Sequence, residues 1–397
     1  MSSGSRNRSP HEWACLIALR DAGELSIAQL TEVTGLSRPT VDKVARQLAA
    51  DGVIDSSMRA AGGAGRPARV YRFPADQIVL GVELGLASIR VIAANRAGTV
   101  LDRRETLRRL PSPVEPGEAP AQESTPADPA PILDDLVTAI DAVAEDRPVA
   151  GIGLAVPGIV DDQHVQLSRV LPALNHVDIA AQLEDRTGAP VRIGNDVKLA
   201  GLGEARAGAG DQVPSMVLVW LGRRISSSVV IEGTVLQGLH GVAGEITVAV
   251  GSGWTQTSAR GEWAWPHGRD AVHNARLAVE GDPAAQQALE GYLAEVGRSL
   301  SRLVGMIDPH LVVISGAVSE SPAPIAHRIR EILSRELNVP FVPEVVAARH
   351  GRYSSAIGAL LVAFDDPRVS TVGGWHLPTP AERVGTADYE NPRPEYS

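Results

Sequence analysis

Between residues 78 and 364, short apolar runs alternate with stretches that place apolar residues every three or four positions. Ile78-Val79-Leu80-Gly81-Val82 has no polar gap, and neither has Leu311-Val312-Val313-Ile314. A strand without period-two alternation is covered on both faces. Such strands, separated by helices that cross back over a sheet, specify an α/β body. The pattern predicts strands at 78–85, 88–93 and 99–101, a helix at about 132–145, strand 149–156, helix 178–187, strand 190–194 and helix 196–206. Strands at 215–221 and 227–232 lead to helices over roughly 269–306, strand 311–315, helix 322–337, strand 343–347 and helix 353–364. Residues 111–131 are rich in Pro, Ala and Glu and read as a flexible insert in a body spanning 76–365. Residues 366–397 read as a loose polar tail, and residues 1–10 as disordered.

Residues 11–74 follow another plan. Helical spacing begins at His11, with Trp13, Leu16, Ile17 and Leu19 apolar. Ser26 is an N-cap candidate for a second helix that ends near Gly35. Ser37 caps a third, with Pro39 in its first turn and Val41, Val44, Ala45 and Leu48 as its apolar stripe. Val53-Ile54 and Val70 to Phe73 read as short strands around a Gly/Arg-rich loop. Helix, tight Gly turn, helix and hairpin have the form of a winged helix-turn-helix, in which the start of the last helix enters the major groove. Its open N–H groups and positive dipole end suit phosphates. Ser37, Arg38, Thr40, Lys43 and Arg46 are the candidate DNA contacts, with Arg38 and Lys43 as readers of guanine edges. Gly65-Arg66-Pro67 resembles the core of an AT-hook, which makes Arg66 a candidate for the minor groove, and Arg69 of the same wing is a further candidate DNA contact. The plain alternative is a helical interaction module with a solvated Arg-rich loop.

Charge is divided accordingly. Ten basic residues face seven acidic ones in residues 1–73, against 27 and 40 in the remainder, although the whole chain is at -10. A basic head on an acidic body suits a DNA-contacting module attached to something that avoids DNA. Lysine occurs only at Lys43 and Lys198. The one cysteine, Cys15, forms no internal disulfide and no multi-cysteine metal site, which fits a reducing cytoplasm. No secretory signal and no apolar run of the roughly 18 residues needed for a membrane helix is visible. A cytoplasmic protein without membrane contact is expected.

The segments TGLSRPTV (34–41), GRPARVYRF (65–73), GVELG (81–85), GIGLAVPGIVD (151–161), NDVKLAGLGEA (195–205), GVAGEI (241–246) and IDPHLVVISGAVS (307–319) together resemble the ROK family of repressors, open reading frames and kinases, over about residues 11–365. The resemblance implies a two-lobed, actin-like (ribonuclease H-like) sugar-kinase fold behind the winged helix-turn-helix. It also implies that the kinase motif D-x-G-x-T is replaced by Glu83-Leu84-Gly85-Leu86-Ala87. The glycine-rich loop G-T-G-I-G-G-G becomes Gly222-Arg223-Arg224-Ile225-Ser226-Ser227-Ser228, with side chains where a nucleotide lies. Asn195-Asp196 matches the family's catalytic pair and Glu245 its sugar-binding glutamate, while the following Gly-His is Thr247-Val248 and the zinc-binding cysteines are missing. Phosphoryl transfer needs held phosphates as well as a base.

The expectation is therefore no enzyme, no metal and no cofactor. It is a regulator, a repressor of carbohydrate or secondary-metabolism genes, working on double-stranded operator DNA as a homodimer or homotetramer. Asn195, Asp196 and Glu245 hold a sugar or sugar-phosphate effector, or are simply structural, Asn195-Asp196 as a helix cap and Glu245 as an ion-pair partner. Trp254, Trp263, Trp265 and His267 sit where the zinc segment belongs, as sugar-stacking groups or as loop packing. The alternative function is a ROK-type sugar kinase with a fused DNA-binding head.

Overall fold

The computed structural model describes residues 9–59, 68–74, 76–108, 128–222, 225–245, 265–267, 271–316 and 322–386. Arg66, Arg223, Arg224, Trp254, Trp263 and most of the expected insert lie outside the described residues.

The chain opens with α1 (Pro10–Ala22), β1 (Glu24–Ser26), α2 (Ile27–Thr34), α3 (Arg38–Ala50), β2 (Asp55–Arg59) and β3 (Ala68–Arg72). Each helix begins at a side-chain cap. Ser9 and Glu12 form a capping box on α1, so Ser9 and Pro10 are not part of a disordered leader. Ser26 and Gln29 do the same on α2, and Ser37 accepts from the Thr40 N–H on α3. Gly35, at φ 67°, stops α2 in the left-handed conformation that a side chain resists. Leu16, Leu19, Leu30, Val41, Ala45 and Leu48 are buried together, each full burial of a large apolar side chain contributing about 1.5–3 kcal/mol. The strands form an antiparallel sheet in the order β1-β3-β2. The second strand begins two residues later than expected: Val53 and Ile54 plug the head core, and the exposed Asp55–Arg59 pairs with β3.

The body contains two five-stranded mixed sheets with the same plan. In the first, β4 (Ile78–Leu84), β5 (Ser88–Asn95) and β6 (Val100–Leu107) form an antiparallel meander, and β7 (Val149–Val156) and β10 (Val191–Asn195) extend it in parallel beyond β4. A small hairpin, β8 (Ile159–Asp161) and β9 (His164–Leu167), follows β7. In the second sheet, β11 (Ser215–Leu221), β12 (Ile225–Ile231) and β13 (Thr234–Val235) form the meander, with β14 (Leu311–Ser315) and β15 (Glu344–Ala347) parallel beyond β11. One outer face is covered by α4 (Ala130–Ala144) and α5 (Ile179–Thr187). The other is covered by α8 (Pro283–Ile307) and α9 (Pro322–Glu336), with α7 (Ala271–Val279) beside α8.

Two helices cross between the sheets. The helix α6 (Asp196–Ala207) lays Val197, Ala200 and Ala205 on the second sheet, and α10 (Ser354–Asp365) lays Ala356, Ile357 and Leu360 on the first. Glycine lets them touch. A Cβ on Gly358 would strike the Leu199 carbonyl, and one on Gly153 the Ala359 carbonyl. Glu204, fully buried on α6, ties the crossing down. Its carboxylate accepts from the Ala209 (2.9 Å), Arg349 (3.0 Å) and His350 (2.9 Å) N–H groups and from the Ser354 hydroxyl (2.7 Å).

Residues 366–386 are not a loose polar tail. They form α11 (Pro367–Ser370), the hairpin β16 (Thr371–Val372) and β17 (Trp375–His376), and α12 (Ala381–Gly385). Val369, Val372, Leu377 and Val384 are spaced among polar residues and all buried, Val372 and Leu377 in the head core. The low apolar density of the segment hid a strap whose few apolar residues all face inward.

Candidate functional site

At the head, the end of α2, Gly35 and Leu36 aim the start of α3 outward. Ser37, Arg38, Lys43 and Arg46 are exposed and Thr40 half-buried. Ser37 Oγ and Thr40 Oγ1 share a 2.8 Å hydrogen bond. Arg46 pairs with Asp42 one turn back at 2.9 Å, both side chains well exposed. No salt bridge of Arg38 or Lys43 is present among the described residues. Arg69 is exposed on β3, next to the end of the strand that leads out of the Arg66 loop.

The second cluster lies where the parallel strands β4, β7 and β10 end, the edge at which open α/β sheets hold ligands. Glu83 is the one charged residue of β4 and is buried. Directly across the pair of strands, Arg90 donates to it at 3.0 Å and to Glu105 on β6 at 2.8 Å, and Arg352 adds a 3.3 Å contact to Glu105. Glu83 Oε2 has no hydrogen-bond partner among the described residues. Burial pushes the Glu83 carboxyl up against the pull of Arg90.

Asn195 ends β10 and caps α6. Its Oδ1 accepts the Lys198 N–H at 2.8 Å, and its Nδ2 donates to the Gly158 carbonyl at 2.7 Å and to Asp196 at 3.1 Å. The amide is thus engaged on both sides, as the structural alternative for this residue expects. Asp196 is half-buried at the first position of α6. Burial, then the nearby Glu83 and Glu245 carboxylates, push it up to about 8, so it is mostly protonated at neutral pH. Glu245 takes a long 3.5 Å contact from Ser226 Oγ. Ser227, on β12, is buried and donates to the Gly244 carbonyl, so it braces the turn that carries Glu245.

Sequence reasoning passed over Lys198, one of two lysines and placed in an apolar helix. It is buried, and its Nζ donates to Gly241 O (2.7 Å), Gln237 O (3.1 Å) and Gln237 Oε1 (3.2 Å). Burial lowers its pKa, against the pull of Glu245 and Asp161. It stitches the start of α6 to the turn before Glu245. Trp265 packs on Tyr292 with ring centroids 5.1 Å apart, and His267 meets Asp282 at 3.1 Å, so both of these residues serve loop packing. Among the described residues there is no His/Cys/Asp/Glu group able to hold a metal, and no helix is long and apolar enough to cross a membrane.

A family model described as ROK family matches residues 79–251 and 247–366. The glucokinase of Halalkalibacterium halodurans is 25% identical over 280 residues, covering 62% of this chain and 82% of the enzyme. The xylose repressor of Bacillus subtilis is 22% identical over 369 residues, covering 86% of this chain and 91% of the repressor. In fold, the chain is similar to a crystal structure of a ROK family transcriptional regulator described as a homolog of E. coli MLC protein, with a TM-score of 0.60 and 19% identity over 94% of this chain and 97% of the other. The body accordingly has the α/β sugar-kinase-like fold of that family.

Proposed function

This chain belongs to the ROK family, and from that premise we propose that it is a DNA-binding transcription regulator, a repressor of carbohydrate or secondary-metabolism genes that responds to a sugar. In this reading residues 11–74 are a winged helix-turn-helix. The observation that carries it is the outward start of α3, where Ser37, Arg38 and Lys43 stand exposed on a helix whose apolar side is wholly spent on the head core. The similarity to the xylose repressor supports it, because 86% of the chain is more than the family-matched residues 79–366 account for. Arg38 and Lys43 read bases in the major groove, Arg66 enters the minor groove, and Ser37, Thr40, Arg46 and Arg69 contact the DNA backbone.

The cleft favours an uncharged sugar over a sugar phosphate. Glu83, Asp196 and Glu245 offer carboxyl groups to hydroxyls, while the cations beside them, Arg90 and Lys198, are already engaged by Glu83, Glu105, Gln237 and Gly241 and leave no counter-charge for a phosphate. Asn195, whose amide is taken up by the Lys198 N–H, the Gly158 carbonyl and Asp196, fixes Asp196 in place. The names of the glucokinase and xylose repressor relatives make glucose and xylose the first sugars to try.

A two-fold dimer or a tetramer of such chains recognises an inverted repeat with half-sites about one helical turn, or a multiple, apart. Genome-wide mapping of bound DNA followed by footprinting tests this. A palindromic site near sugar-handling genes supports the reading, and a single non-palindromic site, or equal binding to random DNA, overturns it.

A competing reading, a sugar kinase with a fused head, draws on Asp196, whose raised pKa suits a general base, and on the similarity to glucokinase. Against it, Glu83 is held by Arg90 in place of a free acid at the phosphate turn, and Ser227 fills a position that the kinases leave to glycine. ATP-dependent turnover of either sugar decides for the kinase.

A further inference from the structure

The strap 366–386 touches both ends of the molecule. Toward the head, Arg20 on α1 donates to the Pro378 carbonyl at 2.6 Å, and Arg383 on α12 donates back to the Arg20 carbonyl at 2.8 Å. Trp375 stacks at a tilt on Trp13 with ring centroids 5.5 Å apart, and a Cβ on Gly373 would enter Val53. Toward the body, the same short helix α12 packs on α6. Val384 is buried in one cluster with Ala207, and a Cβ on Gly385 would strike the Ala207 carbonyl. Arg206, in the last turn of α6, pairs at 2.8 Å with Asp365, which also accepts from Thr379 of the strap.

The helix that receives the strap at its C-terminal end begins with Asp196 in the cleft and is held there by Lys198. Its 12 residues span about 18 Å. They are buried almost throughout and close-packed on α10 through glycine, so α6 moves as a rod. Building on the regulator reading, we propose that α6 and the strap form one coupling element: the state of the cleft sets the position of α6, and Arg383, Pro378 and Trp375 pass it to α1 and so to the head. The sensing end and the head end are then joined by packed groups as well as by the chain between residues 73 and 78. Coupling of two sites requires such a discrete element, whose position both sites bias.

The chain carries its own reporter. Cys15, its single cysteine, is fully buried in the head core beside the strap residues, and burial pushes its thiol up to about 11. Its alkylation by iodoacetamide therefore measures how often the core shared by the head and the strap opens. The full-length protein is compared with Arg383→Ala, Lys198→Met and the double variant. Arg383→Ala accelerates Cys15 alkylation by about tenfold, the size of one lost hydrogen bond from a charged donor. Lys198→Met, which unties α6 at the cleft, accelerates it several-fold. The double variant is no faster than Arg383→Ala alone, since the link is already cut. If Lys198→Met lowers the folded yield, Gln237→Ala removes one acceptor of Lys198 at an exposed position and shifts the rate in the same direction.

An unchanged rate in Arg383→Ala overturns the proposal. So does an unchanged rate in the cleft variant, or a double variant in which the two factors multiply. Because alkylation needs no DNA, a head that ignores operator sequences sinks the regulator reading and leaves this result standing.

Discussion

The head and the cleft hold their charges in opposite ways. On α3, Arg38 and Lys43 stand in water. In the cleft, Glu83, Arg90, Glu105 and Lys198 are buried or nearly so, and each is met by a named partner: Arg90 lies between two carboxylates, and Lys198 among three acceptors. A buried charge without a partner costs several kcal/mol, so a pocket must pair its charges before any ligand arrives. A surface that meets a duplex needs no such pairing, because solvated cations are released onto phosphate with little reorganisation and act at a distance. On the regulator reading proposed above, the contrast separates a part that docks from a part that holds its charges in fixed pairs.

The largest test strikes the fixed side. Glu204→Ala leaves three N–H groups without an acceptor in the interior, and should lower stability by about 3 kcal/mol or more in chemical denaturation. A loss below about 1 kcal/mol would show that the body frame does not depend on its buried charges. On the docking side, Arg38→Ala and Lys43→Ala should each weaken operator binding by about 1–3 kcal/mol, roughly tenfold to a hundredfold, in a fluorescence anisotropy titration, with the thermal midpoint unmoved. If the midpoint falls as well, the head's exposed charges are structural and the contrast breaks.

Asp196 gives a pH-dependent test of the cleft. Its folded value is pushed up to about 8 from an ordinary value of 3.8, so between those two the folded protein keeps a proton that the unfolded chain has lost. The associated stability is complete below the ordinary value and is lost as pH rises through about 8. Asp196→Asn should flatten that decline, read as the pH dependence of the unfolding midpoint, and an unaltered slope would place the carboxyl in water. The smallest effect belongs to Ser37→Ala. Loss of the α3 cap costs about 1 kcal/mol in the head and should leave the stability of the cleft region untouched in hydrogen exchange.

Much of this was legible in the residues. Ser26, Gly35, Ser37 and Pro39 announce the bounds of α2 and α3 because caps and left-handed stops are local chemistry. The uninterrupted apolar strands marked β4 and β14 for the same reason. Asp196 and Glu245 were found through resemblance, since nothing local brings residues 83, 196 and 245 together; only the order of strands in the sheets does. Arg90 and Glu105 stayed hidden because their meaning is a cross-strand register that alternation alone does not fix. The strap escaped because Val369, Val372, Leu377 and Val384 are too sparse to form a pattern, yet each meets a surface made elsewhere in the chain.

The placement of Val372 and Leu377 in the head core bears on the order of synthesis. The N-terminal helices leave the ribosome long before the residues that finish their packing. Until residues 366–386 are made, the nascent head lacks part of its interior and its clamp, and a protein that folds as it is translated completes the head core only after Val372 and Leu377 have emerged. An excised fragment of residues 11–74 is therefore a poor stand-in for the head as it exists in the whole molecule.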